Sequence, residues 1–81
     1  MSWSRKLETN KYCLSEDLDN YNCNISVYSD YCVADYNYEC TKEQFENIIN
    51  KTKEINIFEE KELMIGKLIK EFNLEINWVR E

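Results

Sequence analysis

The spacing of apolar residues changes once along this chain, and that change restricts it to a few architectures. Between residues 22 and 40 side chains alternate. Cys23, Ile25 and Val27 share one face while Asn22, Asn24 and Ser26 share the other. After Ser29-Asp30 the alternation resumes, with Cys32, Ala34, Tyr36 and Tyr38 on one side and Tyr31, Val33, Asp35 and Asn37 on the other. A period of two is the mark of a half-buried strand. From Thr41 onward the period lengthens. Thr41-Lys42-Glu43-Gln44 is a capping-box sequence, followed by Phe45, Ile48, Ile49, Thr52 and Ile55 on one helical stripe.

These periods predict a small α+β fold. Residues 5–14 are expected as a first strand, 22–28 and the segment after Ser29-Asp30 as a second and third. A hairpin centred on Ser29-Asp30 places Val27 opposite Cys32 and Ile25 opposite Ala34. The first loop, around Leu18, contains Asp17, Asp19 and Asn20, whose side chains suit turns. Asn56-Ile57-Phe58-Glu59 reads as a second capping box. The helix after it buries Ile57, Phe58, Met64, Ile65, Leu68, Ile69 and Phe72, with Leu63 and Gly66 on its polar side and Asn73 as its C-cap. Leu74, Ile76 and Trp78 then share one face of a last short strand. The expected order is β-β-β-α-α-β: a three-stranded antiparallel meander plus a short C-terminal strand, with two helices packed on one face. One domain spans 1–81, divided into an acidic Tyr- and Cys-rich meander (5–40), a helical hairpin (41–72) and a strand (74–79). A sheet covered on one face leaves the other wet, and binding chemistry is expected there.

Charge is segregated in the same way. Residues 7–40 hold all six tyrosines, all four cysteines and seven acids against Lys11 alone, which equals the whole net charge of −6. Nucleic-acid and anionic-membrane surfaces are bound by clustered Lys and Arg, and the chain has no such cluster. The complement of an acidic face is a basic protein surface. The N-terminal residues lack the apolar core of a signal peptide, and no stretch approaches the roughly 20 apolar residues that span a bilayer. A cytoplasmic location is expected. Asn, Ile, Lys, Tyr and Phe supply 35 residues against one glycine and no proline, the codon signature of an AT-rich bacterium or of a phage or mobile element living in one.

Catalytic signals are weak. The chain has no histidine, so acid–base chemistry would fall to groups needing strongly shifted pKa values, and a cysteine nucleophile would have no imidazole to activate it. No enzymatic activity, cofactor or metal is expected. Cys13, Cys23, Cys32 and Cys40 form no tight C-x₂₋₄-C knuckle of the kind zinc sites use. Cys23 and Cys32 read as small core residues, and a cross-strand Cys13–Cys23 disulfide requires an oxidising compartment. Tyr36 and Tyr38 fall on the core face. Tyr28 and Tyr31 flank the Ser29-Asp30 tip, where tyrosine serves equally as a strand residue or an interface anchor. Leu63 is an ordinary exposed leucine or a contact with a second copy, and a homodimer would use that face.

Small size, net acidity, AT-rich composition and a compact α+β layout together resemble phage-encoded anti-CRISPR inhibitors, in overall character rather than by a motif. The resemblance implies a non-enzymatic inhibitor of a host defence effector such as a nuclease or CRISPR protein. Glu16, Asp17, Asp19, Asp30, Asp35 and Glu39 would then imitate phosphate charge, and Tyr28 and Tyr31 would anchor the contact. The alternative from the residues is a small cysteine-containing module stabilised by metal or redox chemistry. An antitoxin-like accessory protein would share the acidic-face chemistry.

Overall fold

A computed structural model describes residues 3–19, 22–29 and 33–80. Its elements are β1 (Trp3–Glu8), β2 (Tyr12–Asp17), β3 (Asn22–Tyr28), β4 (Ala34–Cys40), α1 (Lys42–Thr52), α2 (Phe58–Glu71) and β5 (Glu75–Val79). The class is α+β as expected, with one strand more. Every neighbouring pair in the five-stranded sheet is antiparallel, in the order β1-β2-β3-β4-β5. The segment read as one first strand is a hairpin, because Thr9 folds the chain back. Its N–H donates to the Tyr12 carbonyl at 2.8 Å and its hydroxyl accepts the Tyr12 N–H at 3.1 Å. Glu62 of α2 fastens this turn, accepting from the Thr9 hydroxyl at 3.2 Å and the Lys11 N–H at 2.9 Å.

The β3–β4 connection is longer than a tight hairpin. Val27 pairs with Tyr36 and Ile25 with Tyr38, rather than with Cys32 and Ala34. The displacement is an even number of residues, so Ile25, Val27, Tyr36 and Tyr38 keep their expected face although partners change. Beyond Val27 the register shifts, and Ala34 pairs with Tyr28 instead of sharing the core face with Tyr36. Cys32, like Asn20, Tyr21, Asp30 and Tyr31, lies outside the described residues, and so does the core position expected for it.

Both helices cover one face of the sheet. Tyr12, Leu14, Cys23, Ile25 and Val27 from the strands meet Phe45, Ile48, Ile65, Leu68 and Ile69 from the helices, with Tyr36 and Tyr38 packed beside them. The capping box at Thr41 forms: its hydroxyl accepts the Gln44 N–H at 3.1 Å, and the Gln44 side chain accepts the Thr41 N–H at 3.0 Å. Thr41→Ala should therefore lower stability by about 1 kcal/mol, a loss readable as a lower urea midpoint at unchanged m-value.

The second helix departs from expectation at its start. Its N-cap is Ile57, which lacks a side-chain cap, so the box at Asn56 does not form. Ile57 and Phe58 precede the packed stripe and are exposed instead of buried. Gly66 is not on a solvated side. A Cβ there would sit 3.1 Å from the Tyr12 hydroxyl, so any larger residue would have to displace that side chain by a few tenths of an ångström. Asn73 ends the helix as expected, at φ 52°. The Leu74 N–H reaches the Ile69 carbonyl and the Asn73 N–H that of Lys70, the paired bonds of a Schellman ending.

Candidate functional site

The face away from the helices is built by register. Reading across from β1 to β5, one row holds Arg5, Ser15, Asn24, Glu39 and Glu75, and the next Glu8, Cys13, Ser26, Asn37 and Trp78. Trp3 and Asp17 begin a third row with Asn22. A bulge in each edge strand produces this arrangement, and the sequence period hid it. In β5 the register shifts so that Ile76 pairs with Tyr38 on the helix side while Trp78 pairs with Asn37 on the open side. Ile76 and Trp78 thus lie on opposite faces, not on one. In β1 a shift between Arg5 and Leu7 turns Leu7 to the core and leaves Trp3 and Arg5 on the open face. Bulges at sheet edges commonly re-aim side chains in this way.

The open face is polar. Trp3, Ser15, Asn22, Asn24, Ser26, Asn37, Glu39, Asn77 and Trp78 line a cleft of about 400 Å³. An amide relay crosses it: Asn77 Nδ2 donates to Asn37 Oδ1 at 3.4 Å, and Asn37 Nδ2 donates to the Ser26 hydroxyl at 3.1 Å. Asn24 is only 9 % exposed and Asn37 4 %, so the cleft floor is buried although no helix covers it. Among the described residues five carboxylates (Glu8, Asp17, Asp35, Glu39, Glu75) share this face with two guanidiniums, Arg5 and Arg80, but Asp17 is only 2 % exposed. Arg5 pairs with Glu8 at 3.2 Å and Arg80 with Asp35 at 2.8 Å. With Asp17 buried and Glu8 and Asp35 paired, Glu39 and Glu75 supply an accessible surplus of two negative charges.

The residues expected to bind fall unevenly around this face. Asp17, Tyr28, Asp35 and Glu39 lie on it, and Asp19 stands in the adjoining turn, where its N–H donates to the Asp17 carboxylate at 2.9 Å. Glu16 points to the helix side and pairs with Lys42 at 3.5 Å. Asp30 and Tyr31 lie outside the described residues. Hydrogen bonds from Ser29, aided by the Arg80 guanidinium, hold the Asp35 carboxyl below the usual carboxylate range. Two tryptophans and four asparagines of the cleft were missed as a site. The shared face of Asn22, Asn24 and Ser26 was visible in the alternation, but nothing in the spacing marked the bulges.

The cysteines are separated. Cys13 is opposite Ser26 on the open face, whereas Cys23 is opposite Glu16 and Cys40 on the helix face. A Cys13–Cys23 bridge is therefore excluded by geometry, because the two thiols point to opposite sides of the sheet. All three described cysteines are free, and among the described residues no three metal-ligating side chains converge. Burial raises the pKa of each, Cys40 to about 12 with the Cys23 and Glu39 charges adding to the effect. Tyr12 and Tyr38 are raised by burial too. These groups stay protonated when folded and ionise near their ordinary values when unfolded, so the unfolded state loses protons first as pH rises. Stability should be pH-independent on their account below about 9 and fall progressively toward about 12. Melting temperatures measured from pH 8 upward check this, and a flat profile to pH 11 would contradict it.

A larger cleft of about 780 Å³ lies on the helix side, where α2 passes Tyr36 and Tyr38. Its rim mixes Lys11, Lys67 and Lys70 with Glu59 and Glu62 around Leu63, which is 75 % exposed. The two tyrosine rings pack edge to face at 5.6 Å, as core aromatics do. Mixed rim charge selects no class of ligand, unlike the single-sign surplus of the open face. No helix among the described residues is long and apolar enough to cross a membrane. Comparison with protein-family models, curated proteins and solved structures finds no significant match to the chain.

Proposed function

We propose that this protein is a non-enzymatic inhibitor that presents the open face of its sheet to a basic, nucleic-acid-binding surface of a host defence effector. One observation carries the reading: among the described residues the face left bare by both helices presents four accessible carboxylates (Glu8, Asp35, Glu39, Glu75) against two guanidiniums, and exposes both tryptophans of the chain. Excess carboxylate occupies the place that phosphate would take against a basic groove, and tryptophan supplies rigid contact area that phosphate lacks. Opposite potentials also steer the encounter. The acids that serve are those on the open face, Glu39 and Glu75 foremost, since Glu16 is paired on the other side.

The test is competition with target DNA for purified CRISPR effectors loaded with guide RNA. The protein should displace DNA at about 50 mM salt and lose most of its affinity by about 500 mM, because exposed charges are screened. Displacement that is insensitive to salt, or no displacement from any effector at low salt, would contradict the proposal.

A further inference from the structure

Glu39 and Glu75 are direct cross-strand partners on the open face. Like charges in that position repel and destabilise a sheet. Neither carboxylate has a hydrogen-bond or ion-pair partner among the described residues. An unrelieved pair of this kind is suited to a cation that arrives from outside. A second observation comes from Asn24, next to Glu39 in the same row. The residue is only 9 % exposed, and its side chain lines the cleft and forms no hydrogen bond within the described chain. Every fully buried side-chain N and O among the described residues is hydrogen-bonded, so the Asn24 amide looks into the cleft itself. The relay from Asn77 to Asn37 to Ser26 uses amide N–H groups internally, leaving the Asn77 carbonyl oxygen as a further acceptor. Two indoles line the same cleft: Trp3, 48 % exposed, and Trp78, 45 % exposed and adjacent to Asn37.

We propose that the cleft lined by Trp78, Asn24 and Glu39, with Glu75 facing Glu39 from the adjoining groove, receives an arginine side chain of the protein partner. The proposal rests on the basic-partner reading above and narrows it to one side-chain chemistry. A guanidinium is planar, weakly hydrated and carries five N–H donors. It can stack on the indole while bridging two carboxylates that face each other across neighbouring strands. A lysine ammonium can satisfy one carboxylate, but it has no flat face to stack and holds its water more strongly. Phosphate and nucleic acid are repelled by the same carboxylates. A neutral sugar would leave their charges unrelieved.

Titration with hexa-arginine and hexa-lysine, peptides of equal charge, separates these cases at low salt. Binding is read from Trp78 indole and Asn24 side-chain amide NMR signals. Hexa-arginine should bind about fivefold or more tightly than hexa-lysine, with shifts concentrated at Trp78, Asn24, Glu39 and Glu75. Trp78→Leu and Glu39→Gln should each weaken hexa-arginine about five- to tenfold and hexa-lysine much less. Glu39→Gln should also raise the melting temperature, since it removes the repulsion with Glu75; a merely structural role would lower it. Equal affinities with shifts spread over the whole face would overturn the arginine receptor and leave the acidic-face function standing. No binding of either peptide would overturn both. A neutral oligosaccharide that moved the same signals, or self-association that hid Trp78 before any peptide was added, would overturn the receptor as well.

Discussion

Ile25→Ala should remove about 2–5 kcal/mol of stability. Ile25 is fully buried on β3, the middle strand of five, with Leu14 opposite on one side and Tyr38 on the other. Above it the helices contribute Phe45, Ile48 and Ile65 to the same cluster. Truncation loses the transfer free energy of the removed carbons and leaves a cavity that a central strand cannot collapse to fill. A domain of this size has a total stability of roughly 4–12 kcal/mol, so the variant should be partly unfolded at 37 °C. Ile76→Ala is the control. Ile76 is on the edge strand and 52 % exposed, and its truncation should cost under about 1 kcal/mol. Urea midpoints of the two variants check the difference. Equal losses would mean that the core is not centred where β3 meets the helices.

Glu39→Lys should have opposite effects on folding and on binding. In the free protein it turns the repulsive Glu39–Glu75 pair into an attractive one, so stability should hold or rise by a few tenths of a kcal/mol to about 1 kcal/mol. In the complex it places a cation where the partner's own cation must sit. Like-charge juxtaposition at an interface costs several kcal/mol, and affinity for the displaced effector should fall about 100-fold. Glu60→Lys makes the same change in net charge, but on the exposed first turn of α2. Its effect on affinity should be within about threefold, since exposed charges beyond roughly 10 Å are screened. If both reversals weakened binding equally, net charge alone would be the determinant and the open face would have no special role.

Fold class was legible because two periods differ so clearly. Alternation over 22–40 and the stripe beginning at Phe45 each survive small errors of boundary, and the capping box at Thr41 marked where one gives way to the other. The extra strand was missed because Thr9-Asn10-Lys11 has no glycine or proline to announce a turn; Glu62, distant in sequence, holds it by accepting from Thr9 and Lys11. Helical spacing puts Ile57 and Phe58 on the buried stripe of α2, yet both precede its first packed turn and are exposed. The open face was half legible. Its polar central rows could be read from Asn22, Asn24, Ser26, Asn37 and Glu39. The two tryptophans could not be placed, because a bulge reverses the face of every residue beyond it and leaves no mark in a polar edge strand. Charge counting found the acidic half of the chain but could not tell Glu16, paired with Lys42, from Glu39, which faces another glutamate.

The central claim is that an uncovered, negatively charged sheet face carries the exposed tryptophans. Trp3 and Trp78 are the chain's only two tryptophans, 48 % and 45 % exposed, so all of its tryptophan emission reports on that face. Quenching by caesium and by iodide at low ionic strength reads the local potential directly. Caesium, drawn to the surplus carboxylates, should quench several-fold better relative to free tryptophan than iodide does, and the difference should close in about 1 M sodium chloride. Iodide quenching as strong as caesium quenching, or emission shielded from both ions, would contradict the claim.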